Sequence, residues 1–172
     1  MLKTQIMKNK YKNFAQFHKI INIVYLMIFF GLLFFMTVVY YAVKDSFFSF
    51  STPQNKLFLG LLFAFASIFL SKFSHKIFLK KIDKRDDFSH KLQQFLSSFI
   101  VKAAILEGAG FFNITLYFET RNKVFLIFTA ISVLGLLLSK PTPEMLISDL
   151  DLNSKERAYI DNPSREFEQR ND

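Results

Sequence analysis

From Ile20 to Val43 the chain runs for 24 residues with only Asn22 and Thr37 interrupting an apolar series. As a helix rising about 1.5 Å per residue it reaches about 36 Å, more than the roughly 30 Å hydrocarbon core of a bilayer. A cleaved leader would show a shorter apolar region, about 7–15 residues, followed by a small-x-small site. Tyr40-Tyr41-Ala42-Val43-Lys44 offers none, so the run is expected to remain as a first membrane span. Composition agrees: 24 of 172 residues are Phe and only 5 are Gly, more large aromatic volume than the interior of a soluble domain this size accommodates. The absence of Cys excludes a disulfide scaffold, a thiolate metal site and a cysteine nucleophile.

Three further runs follow. Leu57 to Leu70 covers 14 residues, too short alone, but it extends to Leu79 if Lys72 and Lys76 snorkel toward the nearer headgroups. After the polar segment Lys80 to Asp87, apolarity returns from Phe95 to Phe118, broken by Lys102, Glu107, Gly108, Gly110 and Asn113. A polar turn, Glu119 to Lys123, leads into Val124 to Leu138, which reaches about 22 Å and must borrow turn residues or thin the bilayer. The expected fold is all-α: a basic segment 1–19, a four-helix transmembrane domain 20–138 with spans near 20–43, 57–79, 95–118 and 122–138, and a tail 139–172.

Charge placement orients these spans. Of 22 Lys and Arg residues, 17 fall in the N-terminal segment, the Ser71 to Lys91 region and the tail, whereas the two opposite loops hold Lys44, Lys56, Arg121 and Lys123. Basic flanks stay cytoplasmic, so both termini are expected inside, in an inner membrane. Three spans would put the tail and the central basic region on opposite sides. The clusters sit between apolar runs rather than interleaving with aromatics along one surface, which argues against a nucleic-acid partner.

The flanks carry local signals. Leu2, Ile6, Tyr11, Phe14 and Phe17 approximate one apolar face of a basic helix that could lie on an anionic leaflet; the plainer reading is a solubilising flank for the first span. Thr142 before Pro143 is a helix cap, and Asn153-Ser-Lys-Glu156 reads as a capping box. The stretch from Asn162 to Asp172 is expected to be disordered.

Glu107 is the first candidate for function, because an ionised carboxyl near mid-membrane costs about 2.5–3.5 kcal/mol unless neutral, paired or hydrated. At about 100° per residue, Ala103, Gly110 and Ile114 share its side of the helix, with Ala104 and Gly108 close by. In the second span, Gly60, Ala64, Ser67, Ser71 and Ser74 recur at spacings of 4, 3, 4 and 3, a continuous small-residue stripe. The stripe is expected to pack on the Ala103, Glu107 and Gly110 face, with a serine hydroxyl satisfying the carboxyl. Lys102 lies about 140° around the helix from Glu107, so it is expected to snorkel rather than to pair. Glu107 then has three readings: a packing contact that fixes register, a proton- or ion-handling carboxyl, or a lipid or ligand contact.

Other motifs are incomplete. Asp149-Leu-Asp151-Leu-Asn153 opens like a calcium loop, but Ser154 stands at the glycine position and Ile160 at the closing acid. His18, His75 and His90 have no second ligand at metal spacing, and Asn113-Ile-Thr115 is a sequon within a span. No cofactor, metal site or catalytic triad is expected, and no enzymatic activity.

The stretch Ala104-Ile-Leu-Glu107-Gly108-Ala-Gly-Phe111-Phe112, with Lys140-Pro141-Thr142 after the fourth span, resembles small bacterial four-span inner-membrane proteins of uncharacterised activity. The segment around Glu107 is also similar to the proton-carrying helix of rotary ATPase proteolipid subunits, which implies a proton-binding carboxyl. A glycine-rich partner repeat is missing here, and a long basic loop replaces the short polar one of those hairpins. The expected function is a non-enzymatic, multi-pass component of the membrane that associates with itself or another membrane protein. The alternative is a small oligomeric proton or ion transport unit using Glu107.

Overall fold

A computed structural model of the chain describes residues 11–50, 54–83 and 86–167. Six helices account for most of them: α1 (Phe14–Ala42), α2 (Gln54–Lys80), α3 (Phe88–Thr120), α4 (Val124–Leu137), α5 (Pro143–Leu150) and α6 (Ser154–Asp161). The first three are long and apolar enough to cross a membrane, and α4 is an apolar helix of 14 residues.

α3 is the hub, packing on α1, α2 and α4. Of its 18-residue apolar stretch 50% is buried inside the protein, against 17% for α1 and 22% for α2. That placement explains why the least apolar span is the third. Ser98, Lys102 and Asn113 are buried inside the bundle, whereas α1 and α2 present Met27, Phe30, Phe34, Phe58, Phe69 and Phe73 outward. Such a continuous apolar perimeter suits hydrocarbon rather than water.

The helix ends are fixed by identifiable bonds. At one end of the bundle the Asn122 side chain, fully buried, donates to the Ser49 carbonyl and accepts from Ser49 N and Val124 N at 3.3 and 3.1 Å. Phe47 N donates to Arg121 O at 3.0 Å and Lys123 N to Phe47 O at 2.9 Å, so the α1–α2 and α3–α4 connections are stapled together. Arg121, at φ 58°, closes α3 in the left-handed conformation.

The opposite end gathers both ends of the described chain. Asn13 caps α1 by accepting from Gln16 N at 3.0 Å, and Ala15 N, an orphan donor of the first turn, bonds to Pro163 O at 3.0 Å. Phe167 N donates to Lys12 O at 3.0 Å. Phe88, Tyr159 and Phe167 form a ring cluster with centroids 5.2–5.6 Å apart. Disorder from Asn162 onward is therefore corrected for residues 162–167, where Pro163 and Phe167 are bonded to the start of α1 and Phe167 is buried although 162–166 are exposed; 168–172 lie outside the described residues. The lipid-facing helix is corrected too: Tyr11, Phe14 and Phe17 are buried in this aromatic core, while Leu2 and Ile6 lie outside the described residues. Burial also pushes the Tyr11 phenol up from its ordinary pKa.

Candidate functional site

The glycines locate the closest helix approaches. A Cβ added to Gly60 would meet Asn113 Oδ1 at 2.7 Å and Phe125 Cε1 at 2.9 Å, so α2 lies almost directly against α3 and α4 there. Gly110 receives Leu32 of α1, whose methyl carbons lie 2.8 Å from the position of an added Cβ. Phe111 meets Phe35 of α1 edge to face at 5.1 Å, whereas the adjacent Phe112 stacks on Phe63 of α2 at 4.2 Å.

These contacts divide what the sequence had joined. Gly60, Ala64, Ser67 and Ser71 are all buried along α2, and α2 packs most extensively on α3. The stripe meets the α3 face carrying Asn113 and Ser98, not the face carrying Glu107. Glu107 instead turns toward α1, its Oε1 3.7 Å from where a Gly31 Cβ would stand. Ala103 is buried in the core. The expected serine partners are engaged elsewhere, since Ser67 Oγ donates to Ala64 O at 2.8 Å and Ser71 Oγ to Ile68 O at 3.0 Å. The expectation failed because small residues report where helices approach closely, not which helix approaches.

Glu107 is half-buried, and among the described residues no hydrogen-bond or ion-pair partner reaches its carboxyl. Ala104 and Gly108 beside it are exposed, and nothing lies within 4 Å of a Cβ built on Gly108. Lys102 is not snorkelled into solvent: it is 7% exposed and lines a cavity among α2, α3 and the end of α4.

A second polar centre was missed. Ser98, fully buried, lies with Oγ 2.6 Å from His75 Nδ1, and His75 Nε2 lies 3.0 Å from Asp149 Oδ2 on α5. With Nε2–H donating to Asp149, Nδ1 accepts from the Ser98 hydroxyl. The order of groups is that of a nucleophile relay, but Ser98 has no exposed surface for a substrate to approach. What the chain of bonds does is fasten α5 to the bundle. The sequence held half of this signal, because one helical step of four from the buried Ser71 lands on His75.

Nearby, Lys91 Nζ donates to Glu156 Oε1 at 2.7 Å, with side chains only 3% and 8% exposed. Glu156 Oε2 also accepts from Asn153 N at 2.9 Å, completing the capping box of α6. Thr142 caps α5 by accepting from Met145 N, and hydrogen bonds from the backbone and the Thr142 hydroxyl hold the Glu144 carboxyl below its ordinary range. The tail is thus tied to the bundle by one buried ion pair and one histidine relay. No family model, curated protein or solved structure matches the chain.

Proposed function

We propose that the chain is a four-span, non-enzymatic membrane protein, both termini cytoplasmic, that works as a self-associating component of an inner membrane. The observation that carries this reading is the outward stripe of α3. There a carboxyl without a partner among the described residues stands beside Ala104 and the open Gly108, on the perimeter that hydrocarbon would cover. Apolar solvent leaves Glu107 two outlets, protonation or a polar group from another molecule, and the adjacent small residues let a second helix come close enough to supply one. A symmetric pairing of two α3 helices brings both carboxyls together, where one protonated group donates to the other.

The membrane placement is supported by the meeting of 12–15 with 163–167 at one end of the bundle, as an even number of crossings requires, and by the basic residues concentrated there. In a chain without cysteine, Lys44→Cys is expected to react with an impermeant thiol reagent on intact cells, and Ser154→Cys only after lysis. The reverse pattern overturns the topology.

Self-association is tested in mild detergent by light scattering and by Ala104→Cys crosslinking. The wild type is expected to be oligomeric, Ala104→Cys to form a disulfide-linked dimer, and Gly108→Leu to weaken association about tenfold. A monomeric wild type sinks the reading. The same unpartnered carboxyl favours a second reading, proton or ion transport by the oligomer. Glu107→Gln with assembly intact and flux abolished in proteoliposomes supports transport; absence of flux in the wild type removes it.

A further inference from the structure

On another side of the bundle, a cavity of about 320 Å³ opens between α2 and the end of α4, and Lys102 and Lys72 both line it. Its volume sits at the lower end of ligand pockets, which span about 300–1,000 Å³. Lys102 is 7% exposed, yet among the described residues its ammonium has no hydrogen bond and no carboxylate within ion-pair distance. Asp149 acts on it electrostatically without pairing with it: its Oδ2 is held by His75 at 3.0 Å and it lines a different pocket. Lys72, on the exposed rim, adds a second positive charge and repels the first.

An uncompensated buried ion costs several kcal/mol, so Lys102 keeps its proton beside Lys72 in this cavity only where a counter-charge joins them. The remaining lining specifies its chemistry. Ser139, buried, also lines the cavity and carries a hydroxyl that can donate, and no carboxylate is among the lining residues. The other wall is apolar and leads outward: Leu134 and Leu138 line the cavity and are 57% and 89% exposed on the perimeter of the bundle. The site also lies where α4, at 14 residues, stops. A helix about 21 Å long falls short of the hydrocarbon core, so headgroups beside it sit deeper than elsewhere.

We infer that this cavity binds a phosphate group, held by the ammonium groups of Lys102 and Lys72 and the Ser139 hydroxyl, and that an acidic phospholipid supplies it, its acyl chains running along Leu134 and Leu138. The lipid source rests on the membrane reading above; the phosphate chemistry does not, and neither rests on self-association.

The test uses the full chain, delipidated in detergent and followed by native mass spectrometry, with phosphatidylglycerol, phosphatidylcholine or inorganic phosphate as probe. Retention of phosphatidylglycerol over phosphatidylcholine is expected, falling about tenfold in Lys102→Met, which keeps the side-chain volume. Lys72→Gln, at the rim, is expected to weaken retention without disturbing the fold, and serves if Lys102→Met does not fold. Binding of inorganic phosphate with the same lysine dependence, and no preference between the lipids, keeps the phosphate site and overturns the lipid source. Equal retention of both lipids without phosphate binding, or phosphatidylglycerol retention unchanged in both variants, overturns the site. Topology by cysteine labelling and oligomer mass are read separately, so a failure of those readings is distinguishable from a failure here.

Discussion

Lys91→Met is expected to release the C-terminal tail from the bundle while leaving helices α1 to α4 in place. The variant removes one partner of a pair whose side chains are 3% and 8% exposed and leaves the Glu156 carboxylate without its cation. Breaking such a pair from one side typically costs about 3–5 kcal/mol, far more than the pair contributes against an apolar replacement of both members. The loss falls on a small unit, because α5 and α6 are eight residues each and have little intrinsic stability. Trypsin reports it directly: Lys155 and Arg157 lie on α6, and cleavage there is expected to rise about a hundredfold or more as the open population grows. Lys91→Met with Glu156→Met should recover much of the protection but not all, since Asn153 N loses its side-chain acceptor and the capping box is broken. Unchanged cleavage in the single variant would show that the pair does not hold the tail.

The second large effect is expected at Gly60. An alanine there places its methyl group 2.7 Å from Asn113 Oδ1 and 2.9 Å from the Phe125 ring, and both neighbours are fully buried. Asn113 cannot swing aside freely, because its Nδ2 donates to Ala109 O at 3.0 Å. Overpacking of this kind costs about 1–3 kcal/mol and here would part α2 from α3 and α4 together. Gly110→Ala meets the methyl ends of Leu32, which yield more readily than an amide and a ring, so its cost is expected to be smaller. Gly108→Ala meets nothing within 4 Å and should leave the protomer as stable as before. Thermal unfolding in detergent is expected to rank the three variants in that order, and equal midpoints for Gly60→Ala and Gly108→Ala would refute the close approach.

The helices were legible in the sequence because apolar runs and cap residues are local signals. Thr142 before Pro143 and Asn153 before Glu156 need only the next few residues to act. Helix lengths were less legible: α1 begins at Phe14 and α3 at Phe88, ahead of the apolar runs, because Asn13 and the packed tail support turns that no bilayer covers. Partners across the fold left no local trace. His75 and Asp149 lie 74 residues apart, and nothing near either one specifies the other. Glu107 was singled out by its cost in an apolar setting, yet its azimuth could not say which of α3's three neighbours would face it. Lys102 was misplaced for a related reason: snorkelling assumes free headgroups nearby, whereas the end of α4 covers that part of α3.

The clasp between 12–15 and 163–167 has a consequence for how the protein is made. The first turn of α1 gets its Ala15 N–H acceptor, Pro163 O, only after a further 148 residues (163 − 15) have been translated. At ribosomal speeds of roughly 5–20 residues per second, that delay is on the order of ten seconds, during which Tyr11, Phe14 and Phe17 lack part of their cover. The nascent chain therefore carries an aromatic patch at Tyr11, Phe14 and Phe17 that stays partly uncovered until 163–167 have been made.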